Sequence, residues 1–317
     1  MKFHGLFVGI DRYASTGINQ LAFAKRDAEA LHALFADTFG EGGILLVDEQ
    51  ATRETTARHF ADLFTTQQDD FVVIFFSGHG SGTHQLVTHD ADPKCLDTTS
   101  IPLRTLTEWV SRIPAGKLIC ILDCCFSGGM GAKVLHVDSI PRSLTSAESY
   151  LEQLSGEGRL VLTASTAMQE ALENSKLGHG LLTYYLLEAL QGAEEVRQAG
   201  KVSVYRLLEY VTTRVTEGAR QLGKEQCPCL RGTLDGALTW PVFKPGPLFR
   251  ERFPERHRVP VSEDIRSLAP YGFPPALVDA WAGSIPRLNP LQIEAINEFG
   301  LLDGNHLVVS APTSSGK

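Results

Sequence analysis

The chain has 317 residues, 43% of them hydrophobic and 21% charged, and a formal net charge of -8. This is the mixture of an ordinary globular protein of about two domains, large enough to bury a core without staples, and it excludes collagenous, disordered and disulfide-stapled classes. No run approaches the roughly 18 to 20 apolar residues of a membrane span, and the N-terminus lacks a basic, apolar leader pattern, so the cytoplasm is the expected compartment.

Five short apolar runs recur in chain order, at 5–10, 44–47, 71–76, 118–122 and 160–164. They are continuous rather than alternating, which predicts strands buried on both faces. Amphipathic stretches lie between them: Leu21, Ala24, Ala28, Leu31 and Phe35 fall on one helical face at spacings of three or four. Strand and helix in alternation predict an α/β domain with a mostly parallel sheet between layers of helices. Two further helices are expected near 181–191 and 202–221, after which Pro228 and the prolines from Pro241 to Pro247 break regularity. Alternating Arg250, Glu251, Arg252, Glu255, Arg256 and Arg258 suggest a linker, giving a first domain over 1–244, a linker over 245–262 and the start of a second domain over 263–317. Basic and acidic side chains number 22 and 29 up to residue 244 and 7 and 8 after it, so charge alone announces no nucleic-acid surface.

Chemistry concentrates at two strand ends. The run 71–76 passes directly into Ser77-Gly78-His79-Gly80, and the run 118–122 into Asp123-Cys124-Cys125-Phe126-Ser127-Gly128. Open α/β sheets keep their sites at the carboxyl ends of strands. A thiol at one such end and an imidazole at its neighbour can act as nucleophile and acid/base pair. Taken singly, His79 reads equally as a loop histidine and Cys125 as a packed thiol. None of the six cysteines has a partner at zinc-knuckle spacing, and adjacent Cys124 and Cys125 cannot readily bridge each other, so reduced thiols are expected. His84, His89, Asp90 and Asp92 match no tetrahedral metal site, and no metal is assigned.

With SGHG and DCCFSG stand the early segment 5–10, the segment 21–28 and the later stretches 160–165 and 180–183. Together they resemble the caspase-like cysteine peptidases, particularly metacaspases and their bacterial relatives, over roughly residues 1–240. The interval of 46 residues from His79 to Cys125 suits that family, in which the histidine lies about 50 residues upstream. The resemblance implies a caspase-like three-layer sandwich in which the Cys125 thiolate attacks a peptide carbonyl and His79 moves the proton. It further implies an oxyanion hole from the N–H groups of Gly80 and Cys125. Acidic side chains would read the residue before the cleaved bond at the matching positions Asp27 and Asp123, with Ser77 nearby. Two carboxylates there favour Arg or Lys and disfavour an acidic residue. Phe126 departs from the histidine that metacaspases carry after the nucleophile. The polar stretch 131–158, with Lys133 and Arg142 and with Arg159 at its end, suggests self-processing, against the commoner reading of a surface loop. The family also leaves a calcium effect open; the peptidase needs no cofactor.

The last residues tell a second story. Gln292 precedes an expected strand at 307–309, followed by Ala311-Pro312-Thr313-Ser314-Ser315-Gly316-Lys317. A strand entering a small-residue loop with Gly-Lys is how a phosphate-binding loop begins. The pattern resembles the first motif of superfamily-two helicases, with Gln292 in the place of their adenine-reading glutamine and Gly316 and Lys317 at the phosphates. The expectation is a longer protein in which a peptidase precedes a nucleic-acid helicase, possessing ATP and magnesium sites only when complete, as in a prokaryotic defence system. The alternative is a catalytically inactive caspase-like scaffold that regulates the helicase.

Overall fold

The computed structural model describes residues 2–40, 42–126, 134–135, 147–165, 169, 171–174, 177–233, 238–253, 260–285, 287–299 and 301–303. It divides into two compact units, Met1–Pro254 and Glu255–Lys317. The first unit begins with β1 (Phe3–Gly9), α1 (Ala24–Phe39), β2 (Gly43–Val47), α2 (Arg53–Leu63) and β3 (Phe71–Ser77). The Thr52 hydroxyl caps α2 by accepting from Thr55 N–H, a bond that satisfies one of the orphan donors of a first helical turn. Short strands β4 (Gly80–Ser81) and β5 (Gln85–Leu86), the single turn α3 (Leu96–Thr99) and β6 (Ile101–Pro102) then lead to α4 (Leu103–Ser111) and β7 (Lys117–Asp123). After β8 (Val134–Leu135) come α5 (Ala147–Leu154), β9 (Arg159–Thr163), the β10 (Glu173–Asn174) and β11 (His179–Gly180) hairpin, and α6 (Leu181–Leu190). The unit closes with β12 (Arg197–Gln198), β13 (Lys201–Ser203), α7 (Val204–Gln221), β14 (Cys229–Thr233), β15 (Thr239–Trp240) and α8 (Pro247–Arg252).

Six strands form the central sheet in the order β14-β9-β7-β3-β1-β2. All neighbours pair parallel except β14, which runs antiparallel to β9. Successive side chains of a strand point to opposite faces, so each central strand feeds two cores. Phe3, Phe7, Phe71, Val73, Phe75, Ile119 and Ile121 pack with α1, α6 and α7. Leu6, Val8, Val72, Ile74, Phe76, Leu118, Cys120 and Leu122 pack with α2, α4 and α5. The result is the expected α/β three-layer sandwich.

The same alternation sorts the residues at the strand ends. Ser77 pairs with Asp123 in register, and both continue the α1/α6 face, as does Cys125, which belongs to the first core. Cys124 belongs to the second. Strand order also reverses between β1 and β3, since β1 leads by α1 to β2 on one side and β3 lies on the other. The crevice beyond the carboxyl ends at such a reversal is where open α/β sheets bind ligands.

Two stretches differ from the sequence reading. The polar stretch 131–158 contains α5, whose Leu151 and Leu154 join the second core. Arg159 starts β9, and its guanidinium donates to the Ile113 carbonyl at 2.8 Å. The linker expected from residue 245 instead begins with α8, whose Gly246, Leu248 and Phe249 N–H groups are all accepted by the Asp37 carboxylate. One carboxylate taking three donors at a helix start holds that helix to the body, and the unit therefore extends to Pro254. In the second unit α9 (Pro275–Ser284) and α10 (Pro290–Asn297) gather a small core of Val261, Ile265, Leu268, Leu288 and Ile296.

Helix α1 lies on β1 at van der Waals contact, which Gly9 makes achievable: a Cβ there would stand 2.4 Å from the Ala24 carbonyl oxygen and 2.6 Å from the Ala28 Cβ. Gly9→Ala is expected to push α1 off the sheet and to destabilise the first unit by roughly 1–3 kcal/mol. At about 2–4 °C per kcal/mol for a unit of this size, thermal unfolding should fall by roughly 2–12 °C. An unchanged melting temperature would contradict the packing.

Candidate active site

Two backbone turns meet beyond β3 and β7. The chain leaves β3 through Gly78 to His79 and Gly80, and a Cβ on Gly80 would lie 2.2 Å from the Cys125 carbonyl oxygen. Only glycine allows the histidine turn to touch the cysteine turn in this way. His79 and Cys125 therefore sit on abutting loops, with the histidine 1% exposed and the cysteine fully buried.

The imidazole is clamped by the segment joining β1 to α1. The His79 backbone N–H donates to the Tyr13 hydroxyl at 2.8 Å, and the two rings lie 5.0 Å apart at 39°. His79 Nε2 is 2.7 Å from the Asn19 carbonyl. A carbonyl only accepts, so Nε2 carries the proton and, in the neutral ring, the lone pair is on Nδ1. Burial holds the Tyr13 hydroxyl protonated well above its ordinary range.

The thiol faces the segment after β9. Cys125 Sγ accepts the Ala171 N–H at 2.6 Å, donates to the Gln169 carbonyl at 2.8 Å and lies 3.2 Å from the Ser165 hydroxyl. That segment is fastened in turn to the chain before β14. Gln226 accepts from Leu172 N–H and donates to the Ala164 carbonyl, while Gln169 Oε1 accepts from Cys227 N–H. The sulfur is thus enclosed by backbone groups and a hydroxyl rather than opening on a groove. Of the other thiols, Cys124 is buried beside Tyr13 in the second core, Cys120 is pushed up to about 12 by burial, and Cys95 is exposed.

The three residues expected to read a basic side chain come together. Asp27 lies on the buried face of α1 and is fully buried, as are Ser77 and Asp123. The Ser77 hydroxyl donates to Asp27 Oδ2 at 3.3 Å, His179 Nδ1 lies 2.8 Å from Asp27 Oδ1, and the Gly180 N–H stands 3.2 Å from both oxygens. The Thr183 hydroxyl donates to Asp123 Oδ2 at 3.0 Å. Gly180 caps α6, so the carboxylate also meets the positive end of that helix. Sequence reasoning missed His179, Ser165, Tyr13, Asn19 and Gln226. Each acts through bonds made possible by tertiary folding, and none stands in a spacing that announces it.

The remaining residues drawn from the sequence are placed as follows. Asn289 and Gln292 form a capping box at the start of α10: Asn289 Oδ1 accepts from Gln292 N–H, and Gln292 Oε1 accepts from Asn289 N–H. Gly316, Lys317, the expected strand at 307–309, Ser127, Lys133 and Arg142 lie outside the described residues. His89 Nδ1 bonds to the Arg12 carbonyl and Asp90 accepts from Arg53 N–H and the Thr88 hydroxyl. Among the described residues no group of three His, Cys, Asp or Glu is placed to hold a metal ion, and no helix is long and apolar enough to cross a membrane.

A mostly parallel sheet between two helical layers, with a thiol and an imidazole on touching loops at its carboxyl edge, defines a caspase-like α/β protein. A family model described as the caspase domain matches residues 3–239, and the chain belongs to that family. Among solved structures it is similar to a Geobacter sulfurreducens protein at 14% identity and a TM-score of 0.51, over 74% of this chain and 95% of that one. At that identity the likeness concerns the fold alone. No curated protein matches.

The segment that clamps His79 carries its own titration. Burial, reinforced by the nearby Glu173 and Asp48 carboxylates, raises Asp11 from its ordinary 3.8 to about 6, although the Lys25 N–H favours its charged form. A carboxyl whose folded value lies above its unfolded one binds more protons when folded. Its contribution is therefore greatest below about 4 and is lost as pH rises to about 6. Asp11→Asn, which retains the acceptor for Lys25, should flatten the fall in melting temperature between those pH values. Parallel curves for wild type and variant would contradict it.

Proposed function

We propose that the chain is a cysteine endopeptidase that cuts after Arg or Lys. The observation that carries this reading is the buried set Asp27, Ser77 and Asp123 on the same face of the sheet, and at the same strand ends, as Cys125. Membership of the caspase family supports a peptidase acting on proteins; the preference for basic residues rests on the two carboxylates.

In this reading the Cys125 thiol loses its proton, and the sulfur attacks the substrate carbonyl carbon to form a C–S bond as the carbonyl π electrons move to oxygen. The N–H groups of Gly80 and Cys125 face that oxyanion, and the loss of one such donor typically costs about a hundred- to a thousandfold in turnover. His79, oriented through Nε2–H on Asn19, carries the proton at Nδ1 and delivers it to the leaving amine as the C–N bond breaks. Water then releases the acyl group and restores the thiol. For substrate to reach the sulfur, Gln169 and Ala171 must give up their bonds to it.

The fused helicase remains part of the proposal: Gln292, Gly316 and Lys317 would serve ATP and magnesium in a larger protein that couples proteolysis to nucleic acid, as in prokaryotic defence. A second reading, an inactive scaffold regulating such a motor, is favoured by one observation, the enclosure of Cys125 by three partners.

Fluorogenic peptides ending in Arg, Lys or Asp separate these readings. Wild type should release fluorophore after Arg and Lys. Cys125→Ala and His79→Ala should each lose roughly a thousandfold or more, and Cys124→Ala should stay within a fewfold. Activity on the Asp peptide alone would overturn the specificity, and activity surviving Cys125→Ala would overturn the nucleophile.

A further inference from the structure

Asp27 offers no vacant face to a substrate. It is fully buried, and its two oxygens accept from His179 Nδ1, Gly180 N–H and the Ser77 hydroxyl. A carboxylate removed from water must be matched by donors. His179 provides one, at 2.8 Å, from β11. The imidazole is 8% exposed where Asp27 is wholly enclosed. The basic side chain of a substrate needs the same partner in the same pocket: a guanidinium or ammonium placed on Asp27 Oδ1 would coincide with the imidazole or, if the ring is protonated, be repelled by it.

We propose that His179 is a specificity-determining residue, the resident partner of Asp27 that an arginine or lysine side chain has to displace. This rests on the reading of the chain as a basic-specific endopeptidase and adds how its pocket is held when empty. The imidazole keeps a buried carboxylate satisfied without substrate, and it sets a threshold: only a ligand that bonds Asp27 better than a histidine can enter. Neutral side chains do not meet that threshold. The ring lies beside the Phe253 ring at 6.3 Å, over which the Arg26 guanidinium sits at 4.9 Å. Asp123 accepts from the Thr183 hydroxyl at 3.0 Å.

The sign of the effect distinguishes displacement from support. If His179 only holds Asp27 in position, removing it should weaken binding of a basic peptide; if it competes, removing it should strengthen that binding. The measurement is calorimetric titration of the Cys125→Ala chain, with and without His179→Ala, using one peptide ending in arginine amide and a second ending in its neutral isostere citrulline. His179→Ala should tighten the arginine peptide by about fivefold or more and move the citrulline peptide by less than about twofold. His179→Gln, which keeps a neutral donor for Asp27, should fall between and decides the matter if the alanine variant does not fold. On the catalytically intact chain the same change should lower KM for arginine peptides with kcat nearly unchanged. Weaker or equal binding of the arginine peptide in both variants would overturn the proposal, while cleavage of that peptide by wild type would show the endopeptidase reading still standing. Failure of the Cys125→Ala chain to bind either peptide would remove both.

Discussion

The bonds of Asp27 are the constraint on which the site depends. They tie the buried face of α1 to the end of β3 through Ser77 and to the start of α6 through His179 and Gly180. A charged group at a buried position on an otherwise apolar face of a helix costs several kcal/mol to desolvate, and breaking such a cluster by removing one partner typically costs about 3–5 kcal/mol. With the imidazole displaced, the Ser77 hydroxyl and the Gly180 N–H still tie Asp27 to β3 and α6. The close contact of α1 with Gly9 sets the height of that helix over the sheet, and the carboxylate sets its register.

A second network governs the sulfur. The Cys125 thiol bonds to a carbonyl and an N–H of the segment after β9, and Gln226 fastens that segment through two further backbone groups. Each is an ordinary hydrogen bond worth about 1 kcal/mol net. Several such bonds together keep the thiol enclosed, yet substrate binding can outweigh them. The imidazole is held by different means, through Tyr13 and the Asn19 carbonyl. Among the described residues, the supports of Cys125 and of His79 come together where Gly80 touches the Cys125 backbone.

Much of this was legible beforehand, for identifiable reasons. Continuous apolar runs marked the parallel strands because those strands are buried on both faces, and a histidine and a cysteine after two such runs had to emerge at one edge of the sheet. Asp27 was singled out by resemblance, although its place three residues after Ala24 and four before Leu31 already sets it on the apolar face of α1. The enclosure of Cys125 was not legible, since it depends on backbone atoms of Gln169 and Ala171 whose side chains are irrelevant to the bond. His179 stands before a glycine with no periodic pattern around it, and its role follows only from the fold bringing β11 to α1. Helix α8 was misread as linker because its alternating charges look solvated, and the anchoring residue, Asp37, lies more than 200 positions upstream.

Covalent trapping with an arginyl chloromethyl ketone, located by peptide mass mapping, tests whether the sulfur of Cys125 and the imidazole of His79 act together on an amide. An adduct on Cys125 is expected in the wild-type chain, lost in His79→Ala and suppressed by excess arginine peptide. An adduct confined to exposed Cys95, or one on Cys125 that forms equally well without His79, would contradict it.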